Sequence, residues 1–218
     1  MVKTLSSLKN VLKEAKKELK KLDQVRENAQ DNMRKALRFS KQSILLIHQK
    51  KIQDAKKMIK TAREIIRELQ KGSQEYPEII FGASLFKAAL QEYSEANILL
   101  GLVEESRFTD PKEIGVPPAD YVLGLADVVG EYRRQALDAL REGDIQKGGE
   151  CLEIMDEIFI ELMALDEAYM LVPGLRRKCD ITRRIIENTR GDITQEIRRE
   201  SLKDFLRGFE KRLQTNKG

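Results

Sequence analysis

The residues in this chain best placed to do chemistry are acids in two short motifs. Leu90-Gln91-Glu92-Tyr93-Ser94-Glu95-Ala96 carries a Glu pair at i, i+3, and Ala126-Asp127-Val128-Val129-Gly130-Glu131-Tyr132 carries an Asp/Glu pair at i, i+4. Both motifs lie in apolar, helix-patterned sequence, where those spacings put each pair on one helical face. If the two helices pack face to face, Glu92, Glu95, Asp127 and Glu131 form an oxygen-rich pocket for a hard divalent cation, Mg²⁺ or Mn²⁺. Neither imidazole nor thiolate joins them. The single histidine, His48, is far from both motifs in sequence, whereas a ferritin-type di-iron centre wants Glu-x-x-His pairs. An all-oxygen donor set suits phosphoryl-transfer and nuclease chemistry. The competing reading is that the acids are solvated or salt-bridged on helix faces, the commoner fate in a chain with 35% charged residues.

Three cations form a second pattern. Arg34, Arg38 and Lys41 follow i, i+4, i+7 and line one helical face, which suits a track for phosphates and equally a solvated surface. His48 ends an apolar run, so it reads as a helix-end or core histidine that could also act as an acid or base. The basic runs Arg176-Arg177-Lys178, Arg183-Arg184 and Arg198-Arg199 are interleaved with acids and read as solvated surface. There is no Gly-rich phosphate loop, Walker sequence or Ser/His/Asp arrangement, which argues against ATP-driven chemistry.

The elements that must position these residues are helices. The 218 residues are 41% apolar and 6% aromatic, with no Trp, a profile of long solvated helices around a sizeable core, so the fold class is all-α. Forty Lys and Arg against 36 Asp and Glu give a net charge of +4, which permits a polyanionic partner without requiring one. Two cysteines without metal spacing read as reduced thiols, and no apolar run is long enough for a membrane span, so a soluble, unexported, cytoplasmic protein is expected. From Met1 to Lys71 there is no Gly or Pro, and apolar residues recur in steps of three and four from Leu5 through Ala29 into Ile44-Leu45-Leu46-Ile47. This predicts a first helix of about 45 residues, roughly 68 Å long, longer than one compact subunit needs, so part of it should meet another subunit. A turn is expected at His48-Gln49-Lys50-Lys51, and a second helix should end with Gly72 as its C′ residue. A third helix starts near Pro77 and carries Glu92 and Glu95. The loop at 107–118 then leads to a fourth helix that ends at Gly143, with Asp144 capping the next. A fifth reaches Val172, and Gly191-Asp192 separates a sixth from a basic last helix, about seven in all.

The two acidic motifs, Asp120-Tyr121-Val122-Leu123-Gly124-Leu125 leading into the second of them, Ser40-Lys41 followed by Ile44-Leu45-Leu46-Ile47-His48, and the Gly143-Asp144 junction resemble the translin family over roughly residues 25 to 195. Within it they resemble the branch of translin-associated factor X (TRAX). The resemblance implies one helical domain over 1–218, a seven-helix bundle assembling as a hollow octamer around nucleic acid, and Mg²⁺-dependent endoribonuclease activity in the TRAX subunits. The catalytic and metal-binding acids it implies fall on Glu92, Glu95, Asp127 and Glu131. Translin itself lacks this acidic set and binds nucleic acid without supplying the active site. The expected activity is hydrolysis of single-stranded or short duplex RNA inside a homo-oligomer, with a translin-like partner subunit as a further option. The alternative is a non-catalytic shell that binds single-stranded RNA or DNA.

Overall fold

The computed structural model describes residues 2–165, 167 and 169–215. Among the described residues there are eight helices and no strand: α1 (Val2–His48), α2 (Ile52–Glu75), α3 (Pro77–Ile80), α4 (Ser84–Glu105), α5 (Pro111–Ile114), α6 (Pro118–Glu142), α7 (Ile145–Met163) and α8 (Leu175–Thr215). Contacts divide the chain into two compact units, residues 1–116 with α1 to α5 and residues 117–218 with α6 to α8.

In the first unit α1 packs on α2 and α4. Its buried seam is Ala29, Met33, Ala36, Ser40, Ser43 and Ile47, and the small side chains let the neighbouring backbones approach closely. The Ser40 hydroxyl donates to the Ala36 carbonyl at 3.0 Å and Ser43 to the Ser40 carbonyl at 2.7 Å, so burial leaves neither unsatisfied. The turn at 48–51 is where the sequence places it. It closes without Gly or Pro because Lys50 takes the left-handed conformation, φ 59°.

Two expected boundaries in this unit are corrected. Gly72 does not end α2, which continues to Glu75; a Cβ at Gly72 would sit 3.3 Å from Ile80 Cδ1, so this glycine admits the packing of α3. The helix stops instead before Pro77, since the residue preceding a proline disfavours the α conformation. The helix expected from Pro77 onward is broken at residues 81–83, where a Cβ on Gly82 would meet the Glu78 carbonyl at 2.6 Å. The Pro/Gly loop contains the short α5, with the Asp110 carboxylate accepting from the Lys112 amide at 2.7 Å. Arg107 holds Glu113 through two bonds of 2.9 and 3.0 Å and keeps that carboxyl below its usual range.

In the second unit α6, α7 and α8 pack on one another. Gly143 ends α6 at φ 84°, and Asp144 then accepts from the Lys147 amide at 2.9 Å, the junction expected from the sequence. α7 ends at Met163 rather than Val172, one residue past Leu162, the last member of its buried stripe Gly148, Cys151, Met155, Ile158 and Leu162. No break separates a sixth helix from a last one. α8 runs for 41 residues through Gly191, because its inward stripe of Leu175, Cys179, Thr182, Ile186, Thr189 and Ile193 continues past that residue and outweighs the roughly 1 kcal/mol helix cost of an exposed glycine. Cys151 and Cys179 are both free and buried, and burial pushes both thiols up. No helix among the described residues is long and apolar enough to cross a membrane.

Candidate active site and phosphate track

α4 positions the first acid pair. Tyr93 through Leu99 are all buried, so Glu95 is only 7% exposed, while Glu92 lies at the edge of the buried stretch. Tyr93 sets the rotation of the helix about its axis. Its ring is fully buried and its hydroxyl accepts from Arg63 Nε of α2 at 2.8 Å. Asn97 and Ser94 return their side-chain hydrogen bonds to the Tyr93 and Leu90 carbonyls at 2.7 and 2.8 Å. The Arg63–Tyr93 bond thus ties α4 to α2 between the two acids.

The cation row on α1 reaches this pair. Lys41 Nζ lies 4.0 Å from a Glu92 carboxylate oxygen, and Arg34, Leu37, Arg38, Lys41, Gln42 and Leu45 line an open groove of about 350 Å³. Arg34 is bonded to Asp31 at 2.8 Å, and the Arg38 guanidinium lies 5.3 Å from the Phe39 ring centroid. All three cations share one face of α1, as their spacing predicts. His48 stands in the last turn of α1.

α6 positions the second pair. Asp127 and Glu131 are both partly exposed. Lys178 of α8 donates to Asp127 Oδ2 and, at 2.9 Å, to the Leu123 carbonyl. The sequence reading of Arg176-Arg177-Lys178 as solvated surface is thus corrected at its third member, whose side chain is 24% exposed. The signal was its position three residues after Leu175, at the edge of the inward stripe of α8. Lys178 compensates the negative charge of Asp127 inside its own unit. Replacing Lys178 by Met is expected to lower stability by about 1 kcal/mol, the worth of a partly exposed charged hydrogen bond. Thermal unfolding of the variant beside the parent checks this, and an unchanged melting temperature would show that the Lys178–Asp127 bond adds nothing to the fold.

The structure gathers Glu92, Glu95 and Lys41 in one unit and Asp127, Glu131 and Lys178 in the other. Among the described residues, no group of three or more His, Cys, Asp or Glu side chains stands ready to hold a metal ion. The donor chemistry nonetheless fits Mg²⁺ or Mn²⁺, since every candidate ligand is a carboxylate and none is a softer donor.

A model of the translin family matches residues 2–189. The chain belongs to the translin family. Two solved structures are similar over 85% of this chain: AfC3PO, at 37% identity with a TM-score of 0.75 over 96% of that chain, and a complex of AfC3PO with duplex RNA, at 36% and 0.74 over 95% of that chain. A third, apo-NeC3PO, shares the fold at 24% identity, with a TM-score of 0.76, covering 85% of this chain and 96% of that one. An uncharacterized protein of Methanocaldococcus jannaschii, MJ0175, is 36% identical over 118 residues, 54% of this chain. The chain matches about half the length of that relative, 53%. The translin match confirms the all-helical fold class and the family that the acidic motifs suggested.

Proposed function

We propose that this translin-family chain is a TRAX-like, Mg²⁺-dependent endoribonuclease subunit. The observation that carries the reading is the 4.0 Å approach of Lys41, at the end of the Arg34-Arg38-Lys41 row, to Glu92 of the first acid pair. A strand held by its phosphates along α1 would present a phosphodiester beside those carboxylates. Glu92, Glu95, Asp127 and Glu131 would be the carboxylates that hold the cation. Mg²⁺ bound there supplies a water of lowered pKa and neutralises charge that builds on the phosphate. The chain's own contribution is to hold the strand with the three cations and to keep Glu95 fixed through the anchored α4.

The similarity to a protein solved with duplex RNA supports nucleic acid as the ligand. Cleavage of labelled single-stranded and duplex RNA with Mg²⁺, against the same protein with chelator, tests the activity. For the track, replacing Arg34, Arg38 and Lys41 together by Ala should weaken binding to every sequence alike and make the dependence of affinity on salt shallower by about two or three in log–log slope. An unchanged slope would return these residues to a solvated face.

The exposed apolar residues Leu8, Val11, Leu12 and Leu19 along the first half of α1, each 54% or more exposed, support burial against further copies of the chain. The shell would then be a closed homo-oligomer of about eight copies, with or without a translin-like second subunit. Light scattering should show this mass; a stable monomer at micromolar concentration would remove the shell.

The second reading, a non-catalytic shell for RNA or DNA, draws its support from Lys178, which already satisfies Asp127. In that case RNA would bind with the same salt dependence and persist uncut in Mg²⁺.

A further inference from the structure

The first half of α1 carries a row of exposed lysines along one side. Lys9, Lys13, Lys16, Lys17 and Lys20 are all exposed, and at 100° per residue they fall in a sector of about 100° that holds no acid between residues 8 and 22. None of the five makes an ion pair with another described residue. Lys21, at the edge of the sector, is bonded to Tyr76.

Six exposed cations elsewhere are placed three residues after an acid and bonded to it: Arg26 to Asp23, Arg34 to Asp31, Lys57 to Asp54, Arg199 to Glu196, Lys203 to Glu200 and Arg207 to Asp204. Here the neighbours four residues apart are lysine with lysine: 9 with 13, 13 with 17, 16 with 20. Like charges at i, i+4 destabilise a helix. The segment therefore holds uncompensated repulsion that a polyanion would relieve. The side of α1 that carries this ladder also carries Arg34, Arg38 and Lys41, with Glu27 and Asp31 between the two groups. From Lys9 to Lys41 the helix rises about 48 Å.

We infer that Lys9, Lys13, Lys16, Lys17 and Lys20 form a second nucleic-acid contact, a ladder on α1 that grips the phosphates of a strand extending away from the Arg34-Arg38-Lys41 track. The inference rests on the RNA-binding reading above and adds a length dependence to it. Only a nucleic acid long enough to span both groups engages the ladder. The alternating acids between the groups leave a gap in which the strand is not held.

The test is fluorescence anisotropy on RNA duplexes of about 8 and about 24 base pairs, shorter and longer than the 48 Å span, with chelator present to prevent cleavage. Replacing all five lysines by Gln should leave the short duplex unaffected. On the long duplex it should reduce affinity on the order of tenfold at physiological salt and make the salt slope shallower by about two or more. A second variant guards against a folding defect: Lys13→Glu exchanges repulsion with Lys9 and Lys17 for attraction, so it should hold or raise the melting temperature while weakening the long duplex. A long-duplex slope unchanged in both variants, with the parent protein binding normally, overturns the ladder and leaves the Arg34-Arg38-Lys41 track standing. Equal losses on the short and long duplexes also overturn it. A parent protein that binds neither duplex overturns the RNA-binding reading itself.

Discussion

Glu95→Gln and Asp127→Asn are each expected to reduce Mg²⁺-dependent RNA cleavage on the order of 10³-fold at a small cost in stability, about 1 kcal/mol for Asp127→Asn, which weakens its bond from Lys178. Both substitutions keep the shape of the side chain and remove its charge. For Glu95, 7% exposed and one turn from Glu92 on the same face of α4, the charge is held in a poorly solvated place beside a like charge. Glu95→Gln keeps the side chain's volume in that buried place, so the fold should lose far less than the reaction does. A ligand that acts only when the cation carries transition-state charge should instead be missed almost entirely by the reaction. Cleavage kinetics and thermal unfolding on the same preparations decide the matter. Intact cleavage with a lowered melting temperature would make the acids structural and favour the non-catalytic shell.

Tyr93→Ala should be the most damaging single change in the first unit, costing about 3–5 kcal/mol in urea unfolding, a large share of an ordinary domain's stability. The fully buried ring and its bond from Arg63 account for the size of the effect. Tyr93→Phe keeps the ring and removes only the acceptor for Arg63 Nε, which should cost about 1 kcal/mol because that guanidinium is partly exposed and can turn to water. Cleavage by the Phe variant should stay close to the parent's, since its α4 remains packed. A cost for Tyr93→Ala under about 1 kcal/mol would show that α4 is not anchored at the acid pair as described.

The long helices and the acid motifs were legible in the sequence because their signals are local. The seam from Ala29 to Ile47 repeats in steps of three and four, and Gly143-Asp144 combines a left-handed cap with a side-chain cap. The errors came from glycines whose meaning depends on distant packing. Gly72 and Gly191 look like helix ends, but one makes room for Ile80 and the other lies in a helix whose inward stripe continues past it. The break at 81–83 depends on the approach of Gly82 to the Glu78 carbonyl, which a periodicity cannot show. At the site, spacing identified each acid pair, and Lys41 was already among the named cations. Lys178 was not, because its partner Asp127 lies 51 residues away and the surrounding run Arg176-Arg177 is exposed.

The division of α1 into a buried half and an exposed half has a kinetic meaning. Residues 29 to 47 are locked by side chains of α2 and α4 and can open only when the unit itself unfolds. From Leu8 to Leu19, in a single copy, the helix is kept by its own backbone bonds and opens by fraying, with little free energy at stake. One continuous helix thus carries two clocks, and the slow end holds Lys41 beside Glu92 whatever the fast end is doing.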